Sequence, residues 1–216
     1  MDLASLPAFL IAVVLISASP GPAMALILRR SALHGYRAAV PTVLGLEAGL
    51  YLWALAAAAG FATLVAASQV AFVVLKVVGA VVLVVMGIQS WRHAWSLRRE
   101  RGAAAELDLA LPAPPTPNRG RSFGEGLAVQ VANPKAAVFM IAFYPQFVPP
   151  DRNLFATTAV LALFQIILET GLYLGLAAGV GRARAWFARS AVRRRLEYVS
   201  GAVLIALGLR VASASQ

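Results

Sequence analysis

Glu47-Ala48-Gly49-Leu50-Tyr51-Leu52 returns, at an offset of 122, as Glu169-Thr170-Gly171-Leu172-Tyr173-Leu174. The same offset carries Gly79-Ala80-Val81 onto Gly201-Ala202-Val203. Leu, Ala, Gly and Val are common enough here to match by accident, but a glutamate at the same place in two apolar runs is rarer. One offset shared by separate runs reads as an internal duplication. Each copy holds three apolar runs. An odd number forces the second copy to enter a membrane upside down relative to the first.

Composition supplies the membrane. Of 216 residues 60% are hydrophobic and 13% charged, against roughly 25% charged in a soluble domain. Residues 3–28 and 48–75 contain no Asp, Glu, Lys or Arg, and each exceeds the ~20 residues a helix needs to cross hydrocarbon. With no Cys, disulfide frameworks, thiolate nucleophiles, zinc ribbons and iron–sulfur clusters are excluded. The apolar pattern predicts spans near 5–28, 39–67, 69–91, 123–148, 154–181 and 197–213. The expected fold is an all-α integral membrane protein of six transmembrane helices, arranged as two inverted three-helix repeats with broken helices 1 and 4. The first repeat is 1–91 and the second 123–216; a cytoplasmic linker at 92–122 carries the proline-rich Leu111-Pro112-Ala113-Pro114-Pro115-Thr116-Pro117.

The formal charge of +10 is read by its location. Fifteen of nineteen basic residues fall in the connections after spans one, three and five, among them Arg29, Arg30, Arg92, Arg119, Arg182 and Arg193. Only Arg152 and Arg210 fall on the other side. The positive-inside rule puts the basic connections in the cytoplasm and both termini outside. Without aromatic interleaving or a reading motif, the arginines predict no nucleic-acid partner. A cleaved signal peptide competes for the first span, but the run is long for one and lacks a basic n-region, so the span is expected to stay.

Two spans carry breaks: Ser19-Pro20-Gly21-Pro22 and Asn133-Pro134-Lys135. A proline inside a helix removes a donor and clashes with the carbonyl four residues earlier. Freed backbone groups are tolerable only where they face protein or a watery cavity. Ser19 and Asn133 are N-cap residue types, and a proline directly after each suits the first position of a new half-helix. The N–H groups there would receive a carboxylate. A plain structural kink is the competing reading.

Four charged residues lie deep within the predicted spans, well away from their ends: Glu47, Lys76, Lys135 and Glu169. Each costs at least about 2.5–3.5 kcal/mol at mid-bilayer unless paired or hydrated, which points them inward. Lys135 would add charge to the carboxylate site. Glu47 and Glu169 would take a substrate ammonium or a proton. Lys76, nearer a span end, is the structural charge and can snorkel. Gly45, Gly49, Gly171, Gly175 and Gly179 read as packing positions, and Tyr36, Trp91, Trp95 and Trp186 as interfacial anchors. His34 and His93 stand too far apart in sequence to suggest a metal site.

The residues also resemble a known family, the LysE/RhtB superfamily of bacterial exporters of lysine, threonine and homoserine. The likeness runs from Ser17 to Arg210. It rests on Ser19-Pro20-Gly21-Pro22-Ala23 with Arg29-Arg30 and Gly35; on Leu75-Lys76-Val77-Val78-Gly79-Ala80 with Gly87; on Asn133-Pro134-Lys135-Ala136-Ala137 through Tyr144-Pro145-Gln146-Phe147-Val148; and on Ser200-Gly201-Ala202 to Gly208-Leu209-Arg210. The resemblance implies a proton-driven secondary transporter of the bacterial cytoplasmic (inner) membrane that expels amino acids or their derivatives. It maps functional positions onto Pro20, Gly21, Pro22, Asn133, Pro134, Lys135 and Lys76, with the usual fifth-span acid at Glu169. Glu47 departs from the pattern, which suggests a substrate-specific or coupling role.

These lines give one expectation: amino-acid export by proton antiport with alternating access. Substrate would meet Ser19, Pro20, Gly21, Pro22, Asn133, Pro134, Lys135, Glu169 and Glu47, and the two glutamates would couple protons. The expected partners are the amino acid, protons and the lipid bilayer, with a homodimer allowed and no cofactor or metal. A cation or metal-ion exporter or pore is the alternative, since buried glutamates can line a cation path. A membrane enzyme fits poorly, because the spans hold neither His nor Cys, and Ser17 and Ser19 lack an evident partner.

Overall fold

The computed structural model describes residues 6–67, 69–99, 118–148, 153–187 and 189–213, and every regular element among them is helical. In chain order these are α1 (Leu6–Ala18), α2 (Pro22–His34), α3 (Tyr36–Ala67), α4 (Gln69–Arg99), α5 (Arg119–Val131) and α6 (Pro134–Phe143). A 3₁₀ turn (Tyr144–Phe147) precedes α7 (Leu154–Ala178), α8 (Val180–Phe187) and α9 (Ser190–Ser213). By length and apolarity, Tyr36–Gly60 in α3, Val77–Leu97 in α4 and Phe155–Ala178 in α7 can each cross a bilayer. The pair α1 and α2, bent by 59° at its break, makes a fourth if it is one span. The pair α5–α6 and helix α9 pack into the same bundle.

Burial is inverted relative to a soluble protein. Ile11, Val14, Leu52, Val81, Phe164 and Ile167 are exposed, while Glu47, Gln130, Asn133, Gln165, Glu169 and Glu197 are buried. Such a surface suits hydrocarbon, where exposed apolar groups carry no hydration penalty and polar groups must find partners inside.

Close glycine contacts fix the helix directions. A Cβ on Gly87 would stand 2.6 Å from the Gly201 carbonyl oxygen, and one on Gly208 would stand 2.8 Å from that of Ala80. Residue numbers rise on one helix as they fall on the other, so α4 and α9 are antiparallel. The Trp91 indole N–H, donating to the Tyr198 carbonyl at 2.9 Å, continues that register. On the other side, Gly45 meets Phe123 and Leu127 while Gly49 meets Leu127 and Gln130, so α3 and α5 run parallel. The basic ends of α2, α3, α4, α5 and α9 therefore gather at one end of the bundle. There the Arg30 guanidinium donates to the Glu125 carboxylate and ties α2 to α5.

Several expected boundaries move. Helix α4 runs on to Arg99 and α5 begins at Arg119, both inside the expected linker, and α9 begins at Ser190 rather than near 197. Ala, Leu and Arg are good helix formers, so a helix need not stop where hydrocarbon does. The proline-rich 111–117 segment, residue 68 and residues 149–152 lie outside the described residues. Gly171 and Gly175, expected to be packing positions, have no neighbouring atom within 4 Å of a would-be Cβ. Their helix face is open, unlike that of Gly45 and Gly49.

Candidate functional site

Both proline breaks are present, and they are capped differently. At α6 the N-cap is Asn133, whose side chain accepts the Lys135 backbone N–H at 3.1 Å, and Pro134 opens the helix. At α2 the N-cap is Gly21, not the expected Ser19; it has no side-chain cap, and Pro22 opens the helix. The physical reason is the doubled proline: a residue before proline avoids the α region, so Pro20 and Pro22 hold Ser19 and Gly21 out of the helix and delay its start. Ser19 turns instead toward α9, and its hydroxyl donates to Glu197 Oε1 at 3.3 Å.

The end of α1 needs partners for its last carbonyls. Leu15 accepts from the Ser200 hydroxyl at 3.0 Å, and Ile16 accepts from Lys135 Nζ at 2.9 Å. An ammonium at the negative end of a helix dipole is favourably placed. Lys135 thus bridges the two breaks: its backbone belongs to the start of α6 and its charge to the end of α1.

Two cavities meet at this bridge. One, of about 40 Å³, is lined by Ser17, Gly21, Gln130, Asn133, Gln165 and Glu169 among others. At ~30 Å³ per water it has room for a water or so. The second, of about 340 Å³, lies toward the basic end and is lined by Pro20, Gln89, Ser90, His93, Pro134 and Glu197 among others. That falls within the roughly 300–1,000 Å³ of small-molecule sites. Ile16, Ser19 and Lys135 line both. Below, the smaller is called the chamber and the larger the vestibule.

Polar contacts order the chamber. Glu169 accepts from the Gln165 amide at 2.6 Å, and Gln165 accepts from the Tyr144 hydroxyl at 2.6 Å. Away from the basic end, Phe9 packs edge-on against Tyr144 and Phe147, with ring centroids 5.6 and 5.3 Å apart, and Phe139 packs against Tyr144. This aromatic cluster closes the bundle beyond the chamber. The carboxylates of Glu169 and Glu197 both act electrostatically on Lys135.

Of the residues named from sequence, Ser19, Gly21, Asn133, Lys135 and Glu169 come together around the chamber, and Pro20 and Pro134 line the vestibule. Pro22 is exposed and lines neither. Glu47 is buried on α3 and acts electrostatically on Glu169, but it lines neither cavity, and both its carboxylate oxygens lack a hydrogen-bond partner. The side chain of Lys76 lies outside the described residues. Glu197, Gln165 and Tyr144 were missed. Glu197 sits at the edge of a predicted span, where an acid is unremarkable, and an uncharged glutamine in a span carries a weaker signal than a charge does. A polar residue within an apolar run was the available signal.

An apolar-coated helical bundle with a charged interior built at helix breaks has the construction of a membrane transport protein. The family model for LysE type translocators matches residues 14–215, and the chain belongs to that family. It is 33% identical over 207 residues to a homoserine/homoserine lactone efflux protein of Salmonella typhimurium, covering 96% of this chain and 95% of the relative. It is 29% identical over 152 residues to the threonine efflux protein of Escherichia coli K12, covering 70% and 69%. An uncharacterized membrane protein of Vibrio cholerae is 25% identical over 214 residues, 99% of each chain. No solved structure matches the chain.

Proposed function

We propose that the protein exports small amino acids or their derivatives across the bacterial inner membrane by proton antiport with alternating access. The observation that carries this reading is that Lys135 and Glu169 line one cavity at the junction of two helix breaks. An α-amino acid offers complementary charges, its carboxylate to Lys135 and the uncapped start of α2, its ammonium to Glu169. The relatives' named cargoes support a small size class: homoserine and threonine are small hydroxy amino acids, and a lactone keeps the ammonium while masking the carboxylate.

In this reading α1–α4 and α5–α9 are two inverted three-helix units that together make six crossings. The offset-matched helices pack in pairs, α3 on α7 and α4 on α9, which supports a pseudo-two-fold relation between the units. With the basic end in the cytoplasm and the termini outside, the vestibule opens inward and the aromatic cluster seals the outer side. Substrate loads from the cytoplasm, and an incoming proton on Glu169 or Glu47 removes the ammonium's partner and favours release. Only a site that binds its cargo differently in the two states can shift their populations.

The test is flux in proteoliposomes. An imposed proton gradient is expected to drive L-threonine or L-homoserine, and Glu169→Gln is expected to abolish that coupling. Competition by divalent cations and not by amino acids would instead support an ion exporter.

A further inference from the structure

We propose that the vestibule holds a second ammonium-binding station built on Glu197, which loads the amine of the substrate before it reaches Glu169. This rests on the exporter reading and assigns a role to a residue outside the chamber.

Glu197 lies two turns into α9, 5% exposed. It lines a cavity of about 340 Å³, large enough for a small amino acid. Its hydrogen bond from Ser19 is long, at 3.3 Å. An ionised carboxylate offers about four lone-pair sites, and Ser19 takes one of them. Arg193, one turn earlier, leaves its buried Nε without a hydrogen-bond partner, so the guanidinium does not hold Glu197 through that atom. The other walls suit an amine with a short polar side chain: Gln89 and Ser90 on α4 offer acceptors and donors, and Met86 and Leu204 close the apolar side.

Lys135 gives the station its purpose. It lines both cavities, with Glu197 on one and Glu169 on the other. A substrate carboxylate held at Lys135 permits its ammonium to rest on Glu197 first and then swing to Glu169, the molecule pivoting about one fixed charge. The passage is latched by two contacts at the shared wall, Ser19 to Glu197 and Lys135 to the Ile16 carbonyl. A substrate engaging Glu197 and Lys135 competes for both. The ligand class is therefore a primary amine, with or without a free carboxylate.

The test is equilibrium binding to the full chain in lipid nanodiscs, with L-threonine, L-threonine methyl ester, which keeps the amine, and 2,3-dihydroxybutyrate, which lacks it. Wild type is expected to bind both amines more tightly than the hydroxy acid. Glu197→Gln is expected to weaken amine binding about tenfold or more, the scale of one charge-assisted contact. Glu197→Asp should recover most of that loss. In proteoliposomes Glu197→Gln should raise the half-saturating concentration on the loading side far more than it lowers the maximal rate. Equal amine binding by wild type and Glu197→Gln, or no amine binding by wild type, would overturn the station. If wild type carries no amino acid, the exporter reading fails, while the nanodisc titration still decides whether Glu197 binds amines.

Discussion

Lys135 Nζ and the Ile16 carbonyl are joined at 2.9 Å across 119 residues of sequence, and that bond closes the end of one half-helix with the charge of another. Removing it leaves a carbonyl of a broken helix without its ammonium. Lys135→Met is expected to lose about 1–3 kcal/mol, the cost of an unsatisfied buried group, together with amino-acid binding. Lys135→Arg should retain stability and lose affinity less. Thermal unfolding in detergent beside ligand titration checks both. A stable Lys135→Met protein with normal affinity would remove the residue from site and scaffold alike.

The helix contacts supply a contrast within one residue type. Gly87 and Gly201 each stand against the other's carbonyl oxygen, so a side chain at either must push α4 and α9 apart. Gly201→Val is expected to destabilise by about 1–3 kcal/mol or more, as overpacking does. Gly175→Ala meets open space and should be neutral, or stabilising by up to about 1 kcal/mol from helix propensity. Similar losses at both positions, measured by unfolding in detergent, would contradict the packing described.

Arg30 and Glu125 tie the first broken helix to the second at the basic end. Arg30 is 7% exposed and Glu125 39%, so water screens one partner and the pair falls short of a fully buried one. Arg30→Ala is expected to cost about 1 kcal/mol, because water reaches the Glu125 carboxylate it leaves behind. A double-mutant cycle with Glu125→Ala should return a coupling energy on the order of 1 kcal/mol. Additive single effects would show that the contact is incidental.

Much of this architecture was legible in the residues, and the illegible part has a common cause. Pro20, Pro22 and Pro134 announced their breaks because proline's missing donor acts locally. Asn133 was read correctly as a cap for the same reason. Ser19 was not, because its position depends on two flanking prolines and its hydroxyl turns to Glu197, 178 residues away. Gly45 and Gly171 look alike in sequence, yet only the first has a helix laid against it. What sequence withheld was the choice of tertiary neighbour, and that choice made the vestibule invisible until α4 and α9 were set beside the break.

Gln165 stands between Tyr144 and Glu169, accepting from one and donating to the other. Its amide fixes the direction in which the Glu169 carboxylate points. Gln165→Leu keeps the volume and deletes both contacts, so proton-driven flux is expected to fall at least about tenfold, the worth of one well-made hydrogen bond to a charged group. Tyr144→Phe loses only the outer contact and should fall less. Flux in proteoliposomes under an imposed pH gradient orders the two variants, and a larger loss in Tyr144→Phe would reverse the assigned direction of support.

Glu47 poses the sharpest question about coupling, because both its oxygens are buried without hydrogen-bond partners while Glu169 lies within its electrostatic reach. An ionised carboxylate in such a place is costly, whereas a protonated one is tolerable. Glu47→Gln keeps the shape and removes the titration, so it is expected to leave folding intact within about 1 kcal/mol, the range of near-isosteric changes that leave no new unpaired charge. If Glu47 carries the coupled proton, the variant still exchanges labelled amino acid across the membrane at equal pH, and a pH gradient no longer accelerates net efflux. If Glu47 is structural, acceleration survives. Measuring exchange and gradient-driven efflux on the same vesicles separates the two, because a folding defect lowers both and a coupling defect only the second.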